Sequence, residues 1–386
     1  MRCFKKTEHL LFILVFLVCI TVPSLLSDKT GGMLSPEENR YLAKAPELFR
    51  GRRVNWKGGA ILQDIDSWIN DNTFGRETAR MVLSDVHMNL MGDRIDGQML
   101  IADNWRFLWR DDLPDRALHL DLLSGDEIEA LRQKSELIEQ ELNRRDIDFC
   151  MTIFPHKLEI CGKYLPDELN VAEVPCLSEQ LFEVFDDMKS VSVSCPYEEL
   201  QKSMEAYAEG QGPLTYYQAF DASHWNWRGA FIGYRSMMEN IKSKLPKLRI
   251  LEKEDFSVTP NQVETILHGK RVIEEDSIWH RTEERQSKRD DTILNSLNLE
   301  LKDPWKANRA YVNEEHSEDP KAVIVGDSYL WMFFLDDIAD SFSEMIFITI
   351  EDTGSLFSII DQFQPDIVAY AGIRLHSFIS LVNMPE

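Results

Sequence analysis

Hydrophobic and polar positions alternate with two different periods along the chain, most clearly near its C-terminal end. Apolar runs of strand length there alternate with segments of helical period, in the order 322–325, 329–341, 345–350, 353–363 and 365–371. Strand and helix alternating at this spacing predict a mostly parallel sheet with helices on both faces. The expected fold class is therefore α/β.

Earlier segments extend this pattern. Residues 147–154 form an apolar run that ends at a proline and predict a buried strand, and residues 190–193 predict another. The short aromatic segment 97–109 predicts a hairpin. The polar, irregular stretch at about 251–320 predicts an insertion or extended loops rather than a separate domain. Helical periodicity marks residues 61–69, 77–90, 125–144, 178–187, 198–208 and 229–238.

The N-terminus has the pattern of a membrane anchor. Arg2, Lys5 and Lys6 precede an apolar stretch of about 17 residues that ends near Leu26. Because no Ala-x-Ala site follows, an uncleaved signal anchor is favoured over a cleaved signal peptide, which is the alternative. The basic residues hold the N-terminus in the cytoplasm, so the rest of the chain is expected outside it, in the periplasm or at the cell surface.

Composition is that of a globular protein with a large core. The chain has 386 residues, of which 44% are hydrophobic and 10% aromatic. Its formal net charge of −24 argues against nucleic acid as a partner, because binding a phosphate backbone needs a basic face. We expect an anchor at residues 1–27, a linker and N-terminal extension at 28–60, and one large domain at 61–386.

Four cysteines follow the anchor, at Cys150, Cys161, Cys176 and Cys195. This even number, in a chain expected to lie in an oxidising compartment, allows one or two disulfides, and buried free thiols are the alternative. The spacings contain no Cys-x-x-Cys, so no zinc site is expected.

A Gly-Asp-Ser turn carries the first candidate for chemistry. Ser328 directly follows the strand predicted at 322–325, and ligands of open parallel sheets bind beyond the carboxyl ends of the strands. The Ser328 hydroxyl is therefore expected at this edge, with its own backbone N–H as an oxyanion donor. The alternative is a serine that only caps a helix.

Asp221 and His224 are candidates for the carboxylate and the base that a serine hydroxyl needs to act as a nucleophile. A carboxylate in the same loop can bind one imidazole nitrogen while the other nitrogen faces the serine. A solvated loop pair is the alternative. Trp225 follows His224 and is a candidate for lining a sugar-binding groove or for burial in the core. His156 also lies at a strand end, but no carboxylate neighbours it in sequence.

These residues resemble the alginate O-acetyltransferase family of SGNH-like hydrolases. The block from Asp221 to Tyr234, with its glycines, resembles the family's Asp-His-His-Trp block, and Gly326-Asp327-Ser328-Tyr329 resembles its nucleophile block. Weaker matches lie at residues 38–46, 74–76, 154–157, 164–166 and 365–368. The family is permuted relative to ordinary SGNH hydrolases, with the Asp and His before the Ser, and this chain has the same order.

The resemblance implies an SGNH-hydrolase-like, flavodoxin-like fold and a serine-dependent extracytoplasmic O-acetyltransferase. Ser328 would be the nucleophile, His224 the general base and then acid, and Asp221 the group that orients the imidazole. The acceptor would be a cell-surface or secreted polysaccharide, the acetyl donor a membrane-bound O-acyltransferase, and no metal or cofactor is implied. Candidate substrate contacts are Tyr329, Trp225 and Arg374.

Two departures from the family pattern keep alternatives open. Ala222 and Ser223 both stand between Asp221 and His224, where the family has one residue, and only Arg374 remains of an expected Glu-Arg pair. A carbohydrate acetylesterase with the same Ser-His-Asp residues is the first alternative. A non-catalytic polysaccharide-binding or assembly protein on a degenerate SGNH fold is the second.

Overall fold

The computed structural model describes two compact units of the chain. One comprises Met1–Leu100 with Ile266–Val272, and the other Ile101–Thr265 with Ile273–Glu386. The described residues are 16, 32–35, 40–46, 49–50, 53–54, 60–76, 78, 95–96, 98–110, 112–169, 175–186, 188, 191–267 and 270–385.

The strands and helices are numbered along the chain. The strands are β1 Leu34–Ser35, β2 Arg40–Tyr41, β3 Phe49–Arg50, β4 Arg53–Val54, β5 Ile95–Asp96, β6 Met99–Ala102, β7 Trp105–Leu108, β8 Asp148–Ile153, β9 Ser192–Ser194, β10 Phe256–Leu267, β11 Lys270–Arg281, β12 Lys288–Arg289, β13 Arg309–Val312, β14 Lys321–Gly326, β15 Glu344–Thr349 and β16 Ile367–Gly372. The helices are α1 Ala60–Asn72, α2 Leu113–Ala117, α3 Gly125–Asn143, α4 Lys157–Ile160, α5 Leu177–Asp186, α6 Tyr197–Ala208, α7 Trp227–Lys244, α8 Thr292–Ser296, α9 Ser328–Trp331, α10 Leu335–Ala339, α11 Leu356–Phe363 and α12 Leu375–Leu381.

The smaller unit contains α1 and short antiparallel strand pairs. The end of α1 is tied to the extended segment before it, since Asp71 Oδ2 accepts from the Ala43 N–H at 2.7 Å and the Asn72 amide donates to the Ala43 carbonyl. Apart from position 16, the predicted anchor lies outside the described residues, as does most of the helix predicted at 77–90. Within the described ranges, no helix has the length and apolar character that crossing a membrane requires.

The larger unit is built on a seven-stranded sheet in the order β12-β13-β15-β14-β16-β8-β9. The strands β15, β14, β16, β8 and β9 are parallel to one another. Strands β13 and β12 extend the β15 edge in antiparallel fashion. The prediction of a mostly parallel α/β sheet is confirmed. Its central strands are buried on both faces, which explains their continuous apolar runs.

Helices cover both faces of this sheet, as predicted. Val323 and Val325 of β14 point into a core that side chains of α3, α5, α11 and α12 complete. On the opposite face α7 packs across β8 and β9, and its Asn240 amide donates to the Met151 carbonyl at 2.8 Å and to Thr152 Oγ1 at 3.4 Å.

Two predictions about elements are wrong. The stretch at 251–320 is not irregular, because the long strands β10 and β11 pair as a two-stranded ribbon and β12 and β13 join the main sheet. Most of β10 is exposed, so it has no apolar face to produce an alternating pattern. The helix predicted at 329–341 is two short helices, α9 and α10, separated by three residues.

Candidate active site

Three neighbouring parallel strands deliver polar residues to one edge of the sheet. β8 leads into His156 and Lys157, β14 into Asp327 and Ser328, and β16 into Arg374. Because parallel strands end at the same edge, the topology gathers side chains that lie far apart in sequence.

Ser328, His224 and Asp221 form one continuous hydrogen-bonded series. Ser328 Oγ lies 2.8 Å from His224 Nε2, and His224 Nδ1 lies 2.9 Å from Asp221 Oδ2. An ionised carboxylate can only accept, so Nδ1 carries the proton and Nε2 accepts from the serine hydroxyl. His224 is only 8% exposed, whereas Ser328 is partly accessible. The arrangement is that of a serine nucleophile with its base and orienting acid.

The two residues between Asp221 and His224 are accommodated by a tight turn. Asp221 Oδ1 accepts from the backbone N–H groups of Ser223 and His224, at 2.8 and 2.9 Å. Burial opposes ionisation of Asp221, but the charge of His224 and these hydrogen bonds outweigh it, so the pKa of Asp221 lies well below its usual range. The additional residue therefore leaves Asp221 within reach of the imidazole.

The electrostatics of His224 suit a general base. Burial alone would lower the pKa of the imidazole, but the Asp221 carboxylate, its hydrogen bond and the nearby Asp327 raise the pKa above the ordinary value. A basic imidazole accepts the serine proton more readily, since proton transfer follows the basicity of the acceptor.

Asp327 joins the ends of β14 and β16. Its Oδ1 accepts from the Tyr329 N–H at 3.1 Å, and its Oδ2 accepts from the Ile373 N–H at 2.7 Å. Burial raises the pKa of Asp327, and these two hydrogen bonds and Arg374 counter that effect. A side chain at Gly372 would collide with the Asp327 carboxylate, so this close approach requires glycine.

A buried lysine holds the loop that carries Asp221. Lys157 Nζ donates to the carbonyls of Arg106 and Asp221, each at 2.8 Å, and to the Gln218 carbonyl at 3.3 Å. Burial lowers the pKa of Lys157 to about 8, so at pH 7 most of the population keeps the third proton. One ammonium group thus fixes both ends of the segment from Gln218 to Asp221.

A carboxylate from the ribbon holds the same loop from the opposite direction. Glu274 of β11 is buried and accepts from three consecutive backbone N–H groups, those of Gln218 at 2.5 Å, Ala219 at 2.7 Å and Phe220. The sequence did not indicate Glu274, because it lies more than fifty residues from these partners.

Trp225 and Tyr329 are buried side chains that support the site. Each is 1% exposed. Trp225 Nε1 donates to the Tyr329 carbonyl at 3.0 Å, and the Tyr329 hydroxyl donates to the Ser223 carbonyl and accepts from the Lys157 N–H at 3.2 Å. Both side chains therefore link the loop of His224 to the helix of Ser328.

Arg374 and His156 have different surroundings. Arg374 is 44% exposed on its side chain and pairs with Glu351 at 2.9 Å. His156 is buried, and burial, followed by the charge of Arg116, lowers its pKa well below the ordinary value. Its Nδ1 accepts from the Leu158 N–H at 3.1 Å, so its Nε2 faces Ser223 Oγ, at 3.3 Å, as a donor.

All four cysteines in the described part of the chain are free, so no disulfide joins Cys150, Cys161, Cys176 and Cys195. Burial raises the pKa of Cys150 and of Cys161 to about 12, which keeps both thiols protonated. Over the described ranges, no group of three or more His, Cys, Asp or Glu residues could hold a metal ion.

Comparison with known proteins relates the chain to solved structures alone. No family model matches it, and no curated protein matches it in sequence. Bacillus cereus PatB1 is similar over 74% of this chain and 97% of its own, with 14% identity and a TM-score of 0.52. PatB1 with a sulfonyl adduct is similar over 74% and 100%, with 14% identity and a TM-score of 0.55. A DHHW family protein from Eubacterium siraeum is similar over 75% and 96%, with 10% identity and a TM-score of 0.46.

At this level of identity, the PatB1 structures show a shared fold. The arrangement of Ser328, His224 and Asp221 rests on the geometry of this chain.

Proposed function

We propose that this protein is an extracytoplasmic O-acetyltransferase that transfers acetyl groups to hydroxyls of a polysaccharide through a serine acyl-enzyme. The observation that carries the proposal is the hydrogen-bonded series Ser328–His224–Asp221 at the carboxyl edge of the parallel sheet. The permuted order of the motifs, with Asp and His before Ser, supports the transferase family over ordinary SGNH hydrolases.

The first half-reaction loads the enzyme. The Ser328 oxygen attacks the acetyl carbonyl of the donor while His224 Nε2 takes the hydroxyl proton. Asp221 keeps the proton on Nδ1 and stabilises the imidazolium. The tetrahedral intermediate collapses, the bond to the donor oxygen breaks, and His224 returns its proton to that leaving group. The product is an acetyl ester on Ser328 and a deacetylated donor.

The second half-reaction repeats these steps with the acceptor. A sugar hydroxyl attacks the acetyl-Ser328 ester while His224 takes its proton, and the Ser328 oxygen leaves and recovers that proton. The backbone N–H of Ser328, at the start of α9, is the proposed donor to the oxyanion.

The proposed location of the enzyme outside the cytoplasm determines the kind of acetyl donor that it needs. Acetyl-CoA is cytoplasmic, so an extracytoplasmic enzyme requires a membrane-bound O-acyltransferase to deliver the acetyl group. The anchor expected at residues 1–27 would keep the site near that partner.

An acetylesterase is the second candidate, because the same three residues also serve water as the acceptor. Ser328 is partly accessible, which suits either acceptor. The intact hydrogen-bonded series argues against a purely binding protein, since a degenerate site has no need to keep all three groups aligned.

A covalent probe tests the nucleophile. PatB1 was solved with a sulfonyl adduct. We therefore expect phenylmethylsulfonyl fluoride to modify this protein once, on the peptide that contains Ser328, as read by mass spectrometry. Ser328→Ala abolishes the adduct, and the exposed-serine control Ser317→Ala keeps it. An unlabelled wild type, or equal labelling of Ser328→Ala, would contradict a serine mechanism.

A product assay separates the two enzymes. The protein is incubated with p-nitrophenyl acetate and an oligosaccharide, and the products are separated by mass. Acetylated sugar that depends on Ser328 identifies a transferase, whereas free acetate alone identifies an esterase.

A further inference from the structure

A cavity lies beside the loop that carries His224. It has a volume of about 380 Å³ and is lined mainly by apolar side chains, including Phe231, Val258 and Trp279. This volume falls within the range of roughly 300–1,000 Å³ found for small-molecule sites. The ring of Trp279 packs at 5.0 Å from that of Phe231, so two aromatic side chains form one wall.

Two cations also line this cavity. Arg228 is partly buried and Lys253 is exposed, and within the described part of the chain neither side chain forms an ion pair. Unpaired basic side chains are notable in a protein with a formal net charge of −24, where acidic partners are abundant. Their position beside the cavity favours a ligand with a negative charge.

The buried Thr215 hydroxyl is a second indication of a ligand, independent of these charges. Thr215 lines the cavity and is 2% exposed, and its hydroxyl has no hydrogen-bond partner among the described residues. Because buried hydroxyl groups are normally hydrogen-bonded, this atom has an unused capacity to donate and accept.

The cavity is connected to the catalytic loop through the backbone. The Thr215 carbonyl accepts from the Asn226 N–H at 3.0 Å, and Asn226 lies two residues after His224. Asn226 also caps α7, the helix that carries Arg228 and Phe231. The cavity and the loop of His224 therefore share a backbone hydrogen bond and the first turn of α7.

We propose that this cavity is a secondary site for an anionic sugar unit, either a hexuronate or a phosphorylated hexose. The apolar face of the ring packs on the wall of Phe231 and Trp279, a ring hydroxyl bonds Thr215, and the carboxylate or phosphate meets Arg228 and Lys253. The assignment of the ligand as a sugar rests on the proposed function, whereas its negative charge rests on Arg228 and Lys253.

Calorimetric titration of the full chain carrying Ser328→Ala tests this site without turnover. Glucuronate, glucose 6-phosphate and glucose are compared. We expect at least one of the two anionic sugars to bind saturably, about tenfold tighter than glucose. The stronger of the two identifies the anion. Saturable binding of neither, or equal binding of glucose, overturns the proposal. Failure of the Ser328 labelling leaves this readout unaffected, so the two proposals can fail separately.

Two variants in the same background locate the binding. Arg228→Gln is expected to remove the preference for the anionic sugar, whereas Lys242→Gln, which removes one charge from the other end of α7, preserves it. Thr215→Val should weaken binding about fivefold while the melting temperature stays the same or rises, because the replaced hydroxyl has no partner in the free protein. Affinities unchanged by both Arg228→Gln and Thr215→Val would place the ligand elsewhere and overturn the assignment.

Discussion

The charges around His224 determine how this site responds to pH. Only the neutral imidazole can take the Ser328 proton, and Asp221 raises the pKa of His224 above the ordinary 6.5. The acid limb of kcat/KM is therefore expected at a pH above 6.5. Asp221 itself stays ionised through this range, because its pKa lies well below the usual carboxylate value.

Asp221→Asn tests this coupling. Removing the carboxylate removes the stabilisation of the imidazolium, so the acid limb should move to lower pH while kcat falls by about 10⁴. The control is Asp319→Asn, which alters an exposed Asp–His pair with His316 at 3.5 Å and should change neither quantity. An acid limb that stays in place in Asp221→Asn would show that Asp221 does not set the pKa of His224.

Lys157 contributes to the site by fixing the backbone of the loop that carries Asp221. Lys157→Met removes the ammonium donor from the carbonyls of Arg106, Gln218 and Asp221, and the Gln218 carbonyl keeps a second donor, the Arg106 N–H at 3.0 Å. Each buried unsatisfied group costs about 1–3 kcal/mol, so we expect the free energy of unfolding to fall by about 3 kcal/mol and kcat to fall with it. Denaturant unfolding measures the first quantity.

Lys134→Met is the matched control for Lys157→Met. Its ammonium also donates to a backbone carbonyl, that of Ser380 at 2.8 Å, but the bond is exposed. The expected change is within about 0.5 kcal/mol. Equal effects of the two substitutions would mean that Lys157 does not carry the loop.

At the scale of elements, the strands that are buried along their whole length were the ones best predicted from the sequence. The strands at 322–325, 345–350 and 365–371 correspond to β14, β15 and β16, because strands covered on both faces are apolar throughout. The ribbon of β10 and β11 was missed, since its outer part is exposed and shows no apolar alternation. Glu274 of β11 was missed because its backbone partners lie more than fifty residues away in the sequence.

Glu274 is the ribbon carboxylate that holds the backbone of the loop of Asp221. Glu274→Gln replaces an anion that accepts three backbone N–H groups by an amide whose nitrogen cannot accept. We expect kcat to fall about tenfold with little change in KM, because the loop of Asp221 loses its alignment while Ser328 stays in place.

Glu275→Gln makes the same change in charge on the exposed neighbouring position of β11 and should leave kcat unaltered. If Glu274→Gln also kept the wild-type kcat, the ribbon would have no part in positioning Asp221.

At the scale of the whole molecule, the topology brings together motifs that lie far apart in the sequence. Ser328, His224 and Asp221 are each ordinary in isolation, and the permuted order of the motifs and the parallel sheet place them at one edge. The roles of Trp225 and Tyr329 depend on burial, which sequence could not decide. Both positions match the family motif, yet the structure places them beneath the site and not on its surface.

The free cysteines give a prediction for the whole fold. Disulfide pairing would require two of Cys150, Cys161, Cys176 and Cys195 to be joined, and the structure keeps all four as buried or half-buried thiols. The large parallel sheet supplies a core that needs no covalent cross-link. Dithiothreitol should therefore leave the melting temperature unchanged to within about 1 °C, since no loop constraint is lost on reduction.

Thiol titration gives the same prediction a second readout. The four thiols should react with a disulfide reagent only after unfolding, because burial raises their pKa and excludes the reagent. In denatured, unreduced protein the peptides that carry Cys150, Cys161, Cys176 and Cys195 should then all be labelled, as read by mass spectrometry. Unlabelled peptides among these four, together with a melting temperature that falls in dithiothreitol, would show that the protein carries disulfides and that its stability depends on them.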